Sequence, residues 1–124
     1  ETPTPACSQL AVRISMPAHM FQPGDDCHCE VYLCNPTLMV YPGVPLLVAL
    51  DVYGEYFFAP SFQGFDRYVL TLTPGLHVVS VVSPFNWPEG AGAVTGIRWL
   101  AAMTNQEMTD IFGQMDSWDF GWEE

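Results

Sequence analysis

The residues of this 124-residue chain with chemistry to offer are three histidines, four cysteines and fourteen carboxylates. His19, His28 and His77 stand apart, and no Gly-x-Ser-x-Gly elbow or other nucleophile signature accompanies them. Asp51 with Glu55, and Asp116 with Asp119, are spaced closely enough to suggest a glycosidase pair, but such pairs arise by chance among fourteen acids. Gly90-Ala91-Gly92-Ala93-Val94-Thr95-Gly96 lacks the lysine of a phosphate loop and reads as a connection. The sequence therefore points away from catalysis and implies no cofactor. Calcium has its best candidates in Asp25, Asp26, Asp116 and Asp119, though none lies in an Asp-x-Asp-x-Asp-Gly loop, and solvated surface acids are the simpler reading.

Cys7, Cys27, Cys29 and Cys34 all fall in the first third of the chain, and an even number of cysteines in a small exported domain signals disulfides. Cys27-His28-Cys29 with Cys34 offers enough ligands for zinc, yet the paired Cys-x-x-Cys knuckles of structural zinc sites are missing.

The elements that must position these residues are strands. Short β-branched and aromatic runs alternate with Pro, Gly and Asn punctuation, and about seven or eight strands are expected. From Gln9 to Ser15, Leu10, Val12 and Ile14 alternate with Gln9, Ala11, Arg13 and Ser15, so one face turns inward. Gln22-Pro23-Gly24-Asp25 is a turn, with proline fixing φ and glycine supplying a positive φ. Asp26 to Cys34 then places Cys27, Cys29, Val31 and Leu33 on one face. A hairpin centred near Met20 and Phe21 sets Leu10 opposite Val31, Val12 opposite Cys29 and Ile14 opposite Cys27. The same register puts Cys7 opposite Cys34, which makes that pair the preferred disulfide. Cys27 and Cys29 are then left to each other, and an i, i+2 bridge within a strand is awkward; either they stay reduced or the register differs.

Further strands are expected at Pro45–Tyr53, Glu55–Ala59, Arg67–Thr73, Leu76–Ser83 and Val94–Met103, with the loop at 84–90 crossing between sheets. One short helix is expected after them. Thr104 and Glu107 form a capping box, Met108, Ile111, Phe112 and Met115 follow at helical spacing, and Gly113 ends it. Trp118, Phe120 and Trp122 alternate on one face of a last edge strand. The expected architecture is an all-β, immunoglobulin-like antiparallel sandwich over residues 7–124, preceded by an extended Thr/Pro-rich segment over residues 1–6. The segments Cys27-His28-Cys29-Glu30-Val31-Tyr32-Leu33-Cys34-Asn35, Leu50-Asp51-Val52-Tyr53-Gly54 and Phe85-Asn86-Trp87-Pro88 resemble uncharacterised β-sandwich modules near the ends of large secreted bacterial proteins. That resemblance spans most of residues 7–103 and implies export and a sandwich fold, with no activity attached.

Composition narrows the partners. Fourteen acids against three arginines and no lysine give a formal charge of −11, which repels nucleic acid and anionic membrane surfaces alike. No run of about 18 apolar residues exists to insert in a bilayer. Only 14% of residues are charged while 49% are hydrophobic, so apolar surface is left over for a partner. The chain begins at Glu1 without methionine, as a processed or trimmed terminus would, and a secreted or cell-surface protein is expected. The function this favours is a structural subunit that assembles with itself into a fibre. Leu10, Val12 and Ile14 would be the knobs of an exchanged N-terminal strand, and Trp118, Phe120 and Trp122 a docking edge. The alternative is a carbohydrate-binding module whose exposed rings stack on glycans.

Overall fold

The structure is a computed structural model that describes residues 7–124; the Thr/Pro-rich segment 1–6 lies outside the described residues. Nine strands form two sheets with no helix among the described residues. They are β1 (Ala11–Ser15), β2 (Met20–Phe21), β3 (Asp26–Asn35), β4 (Tyr41–Val52), β5 (Glu55–Phe58), β6 (Tyr68–Leu72), β7 (Gly75–Asn86), β8 (Val94–Met103) and β9 (Asp116–Trp122). One sheet has the order β1-β3-β7, the other β2-β9-β8-β4-β5, with β6 pairing β4 beside β5. The fold is an all-β, immunoglobulin-like sandwich.

Alternation in the sequence becomes the core. Val12, Val31, Leu33 and Cys29 from one sheet meet Leu46, Val48, Ile97, Trp99, Ala101 and Met103 from the other, all essentially inaccessible to solvent. Burying each large aliphatic or aromatic side chain contributes about 1.5–3 kcal/mol.

The first two long strands pair as expected but in a different register. Val12 faces Leu33 and Ile14 faces Val31, four residues along from the expected partners. The chain between them is not a simple loop, because Met20 and Phe21 leave to pair with Gly121 and Trp122 in the opposite sheet. A slip of four is even, so every side chain keeps its face and apolar still meets apolar. The turn that follows is the expected one: Gly24 has φ 90°, the Asp25 amide donates to the Gln22 carbonyl, and the Asp25 carboxylate accepts from the Gln22 amide.

The expected helix after Met103 is absent. The Asn105 carboxamide oxygen accepts from the amides of Thr109 and Asp110, the Asn105 amide donates to Asp110, and the Phe112 amide donates to Met103. These bonds fold the segment back on itself, so that Thr104 bridges Ile111, and Met108 takes φ 58°. A short polar side chain has outcompeted the helix for backbone donors. The expected capping partner Glu107 is exposed and takes no part.

Candidate functional site

The cysteines divide by position. Cys7 and Cys34 are bonded, with Cα atoms 5.2 Å apart. Cys34 is opposite Ala11 in the ladder, so the bridge is made by the chain ahead of β1 folding back across the end of β3 rather than by a facing pair. Cys27 and Cys29 are free, buried thiols. Burial pushes Cys27 up to about 11 and, helped by the neighbouring Cys27 and Glu30, pushes Cys29 up to about 12, so neither is a nucleophile at neutral pH. Among the described residues no group of three His, Cys, Asp or Glu side chains is placed to hold a metal. Asp25 is occupied by its turn, and Asp116 accepts from the Ile14 amide at 2.8 Å, closing the outer side of β1. Asp26 starts β3 opposite Asn86, and Asp119 sits opposite Arg98 in the β8–β9 ladder. Asp25 and Asp116 thus each give one carboxylate oxygen to a backbone amide.

The aromatic strand at the C-terminus is not a free edge. β9 lies between β2 and β8, and its rings are engaged within the molecule. Trp118 stacks on His19 at 4.2 Å and donates to the Ala18 carbonyl; Phe120 is in the core; Trp122 packs on Trp87 and donates to the Ala91 carbonyl. Likewise Leu10, Val12 and Ile14 pack in their own molecule, with Val12 and Ile14 buried in β1 and the strand tied to β3 by the disulfide.

The open edge is elsewhere. β7 runs twelve residues, Gly-Leu-His-Val-Val-Ser-Val-Val-Ser-Pro-Phe-Asn, with no Asp, Glu, Lys or Arg; its pairing to β3 is regular over Gly75–Ser80 and bulged beyond, where Pro84 also lies. It pairs with β3 on one side and, among the described residues, with no strand on the other. Other edges are guarded: β1 carries Arg13 and is covered by Gln114 and Asp116, β2 has two residues, β5 has four and begins with Glu55, and β6 has five. Long uncharged edges are what natural sheets avoid unless something pairs with them. Sequence reading placed the strand but could not see its neighbours, because edge status depends on topology; the absence of charge over twelve residues was the available signal.

The outer face of the larger sheet is also apolar. Leu47, Ala49, Tyr56, Phe58, Leu100 and Ala102 form a shallow groove there, rimmed by Ile111 and Met115 from the folded-back loop. Beside it Asp51 accepts from the Gly54 amide at 2.9 Å and from Arg98 Nε at 3.0 Å. The Gly54 amide first, then Arg98, hold the Asp51 carboxyl below its ordinary value.

Between the sheets, at the end where β1, β4, β7 and β9 finish and β3 and β8 begin, lies an open cavity of about 370 Å³. Its walls are almost wholly apolar: Cys27, Leu50, Val52, Val82, Phe85, Ile97, Phe120 and Trp122 among others. Trp87 and Trp99 also line it, and the Nε1 hydrogen of each is buried with no hydrogen-bond partner. Leaving such a donor unpaired costs about 1–3 kcal/mol.

No family model matches this chain, and no curated protein matches it. Solved structures do. The CARDB domain of a Pyrococcus furiosus protein, solved in complex with di-metal ions, superposes with a TM-score of 0.54 at 17% identity over 90% of this chain and 85% of that one. The sporulation control protein Spo0M from Bacillus subtilis matches with a TM-score of 0.44 at 14% identity, and a β-glucosidase from Listeria innocua with 0.48 at 11%. This chain spans 49% of Spo0M and 16% of the glucosidase chain. At these identities the likeness to the CARDB domain is one of fold: a β-sandwich module.

Proposed function

We propose that this chain is a non-catalytic structural module of an extracellular or cell-surface assembly, joined to further copies of itself along the free edge of β7. The observation that carries the reading is the long edge of β7, free of Asp, Glu, Lys and Arg and regular over Gly75–Ser80 before the bulges and Pro84 interrupt it, in a molecule whose other edges are short, charged or covered. Two β7 strands meeting antiparallel about a twofold axis would continue the three-stranded sheet into a neighbour, with main-chain bonds supplying affinity. The apolar outer face of β5, β4 and β8 belongs to the other sheet and would join such pairs into a fibre. The disulfide supports an oxidising compartment, and among the described residues no helix is long and apolar enough to cross a membrane. N-terminal strand exchange is not part of this reading, since β1 fills its own sheet. For the sugar-binding alternative the exposed rings are Tyr53, Tyr56, Phe57, Phe65 and Phe85, while Trp118 and Trp122 donate their indole N–H groups within the molecule.

The test is particle size by light scattering, with Val78→Lys/Ser80→Lys as the control, since both positions are exposed on β7. Wild-type protein should form species larger than one chain, and the double variant should be a folded monomer by circular dichroism. A wild type that stays monomeric when concentrated, or a double variant that assembles equally well, contradicts the reading.

A further inference from the structure

The two ends of the sandwich complement one another. We propose that the loop joining β3 to β4 on one copy of this chain docks, through Leu38 and Met39, into the apolar cavity at the far end of a second copy. This contact rests on the self-assembly proposed above and adds a lengthwise direction to it.

The plug is shaped by one side chain. Leu38 is 95% exposed at the tip of the loop between Asn35 and Tyr41, and Met39 and Val40 are each more than half exposed beside it. Asn35 is buried beneath them, and its Nδ2 donates to the Met39 carbonyl at 2.9 Å and to the Leu72 carbonyl at 3.3 Å. Its Oδ1 accepts from the amide and the hydroxyl of Thr37, and the Thr37 hydroxyl oxygen in turn accepts from the Met39 amide. A buried carboxamide therefore fixes the backbone that turns three apolar side chains outward. A projection formed in advance loses little entropy on docking.

The socket lies opposite. β3 begins and β4 finishes at the cavity, so the loop after β3 and before β4 stands at the other end of the molecule. Leu50, Val52, Val94 and Ile97 line the cavity and no charged side chain does; the indole N–H groups of Trp87 and Trp99 are buried within its wall and have no accessible surface. Such a wall accepts an apolar group and asks for no hydrogen bond. An apolar cavity of about 150 Å³ is enough for benzene. This one, at about 370 Å³, has room for two aliphatic side chains.

Two observations make the occupant a second copy. Each chain carries −11, so copies approach most easily through surface free of acids; no Asp, Glu, Lys or Arg stands between Glu30 and Asp51, and none lines the cavity. Antiparallel pairing along β7 also reverses one copy relative to the other, so each end of a pair presents one plug and one socket. The next pair meets it with a socket and a plug, and two contacts that are weak singly act together.

The test uses the Val78→Lys/Ser80→Lys background, which removes the β7 contact. Methyl-labelled protein that also carries Leu38→Ser/Met39→Ser has a socket and no plug, and it is titrated with unlabelled protein whose loop is intact. The methyl resonances of Val52, Val94 and Ile97 should shift saturably, with a Kd on the order of millimolar, while those of Val12 and Leu33, which do not line the cavity, stay still. Unlabelled protein bearing Leu38→Ser/Met39→Ser should bind at least tenfold more weakly; both side chains are exposed, so the fold does not depend on them. No saturable shift up to the solubility limit, or equal shifts with either titrant, overturns the proposal. So does binding of the intact loop, but not of Leu38→Ser/Met39→Ser, to phosphatidylcholine vesicles when copies give one another no shift, which assigns the loop to a lipid surface. Light scattering of wild type reads the β7 contact and methyl shifts read this one, so each can fail without the other.

Discussion

Cys27 and Cys29 sit two apart on the buried face of β3, a spacing that invites reading them as a redox pair; the surroundings argue otherwise. Desolvation raises both thiols to about 11 and about 12, so almost no thiolate exists at neutral pH. Native protein should therefore resist a thiol reagent, and both thiols should react once urea unfolds the chain. Rapid labelling of the native state would show that the end of the sandwich opens. Asp51 makes the opposite case. The Gly54 amide and Arg98 stabilise its ionised form, so its folded pKa lies below the ordinary 3.8. Its contribution to stability is complete above the unfolded value and is lost as pH falls through the folded one. Urea melts at about pH 6 and about pH 2.5 should show wild type losing its advantage over Asp51→Asn at the acid end, while a gap of equal size at both would exclude the charge as its source.

At the scale of elements, the bond between Cys7 and Cys34 ties the approach to β1 to the end of β3 within one chain. Closing a loop with a sequence separation of 27 is worth about 3–4 kcal/mol on the chain-entropy account. Cys7→Ser/Cys34→Ser should lower unfolding free energy by about that amount in denaturant melts, and non-reducing gels of wild type should show single chains with no ladder. A ladder would mean bridges between chains. Much of this level was legible in the sequence. β8 occupies the expected Val94–Met103, and the faces of β1 and β3 are the expected ones, because a period of two in side-chain polarity fixes which side is buried. Register was not legible. It depended on Met20 and Phe21 joining the other sheet, a contact about a hundred residues away in sequence. The missing helix has a local cause: helical spacing of Met108, Ile111, Phe112 and Met115 was real, but Asn105 took the amides a helix start needs. The candidate sites were the least legible. Trp118, Phe120 and Trp122 alternate as an edge strand would, yet edge status is a property of the whole sheet, and β2 occupies that place.

For the whole molecule, scarcity of charge is the organising fact. The two sheets bury one apolar set between them and leave a second outside, in the β5-β4-β8 groove, along β7, and at exposed Leu38, Met39 and Val40. Fourteen acids keep such a surface in solution, while their mutual repulsion opposes association, so attraction between copies must come from contacts that do not depend on charge. Main-chain pairing along β7 is of that kind. The most direct measurement is amide hydrogen exchange, residue by residue along Gly75–Asn86, in dilute and in concentrated protein. Alternate amides of β7, those not bonded to β3, should exchange freely when dilute and become protected as particles grow. If large particles form while those amides exchange as fast as before, copies meet somewhere other than the edge of β7.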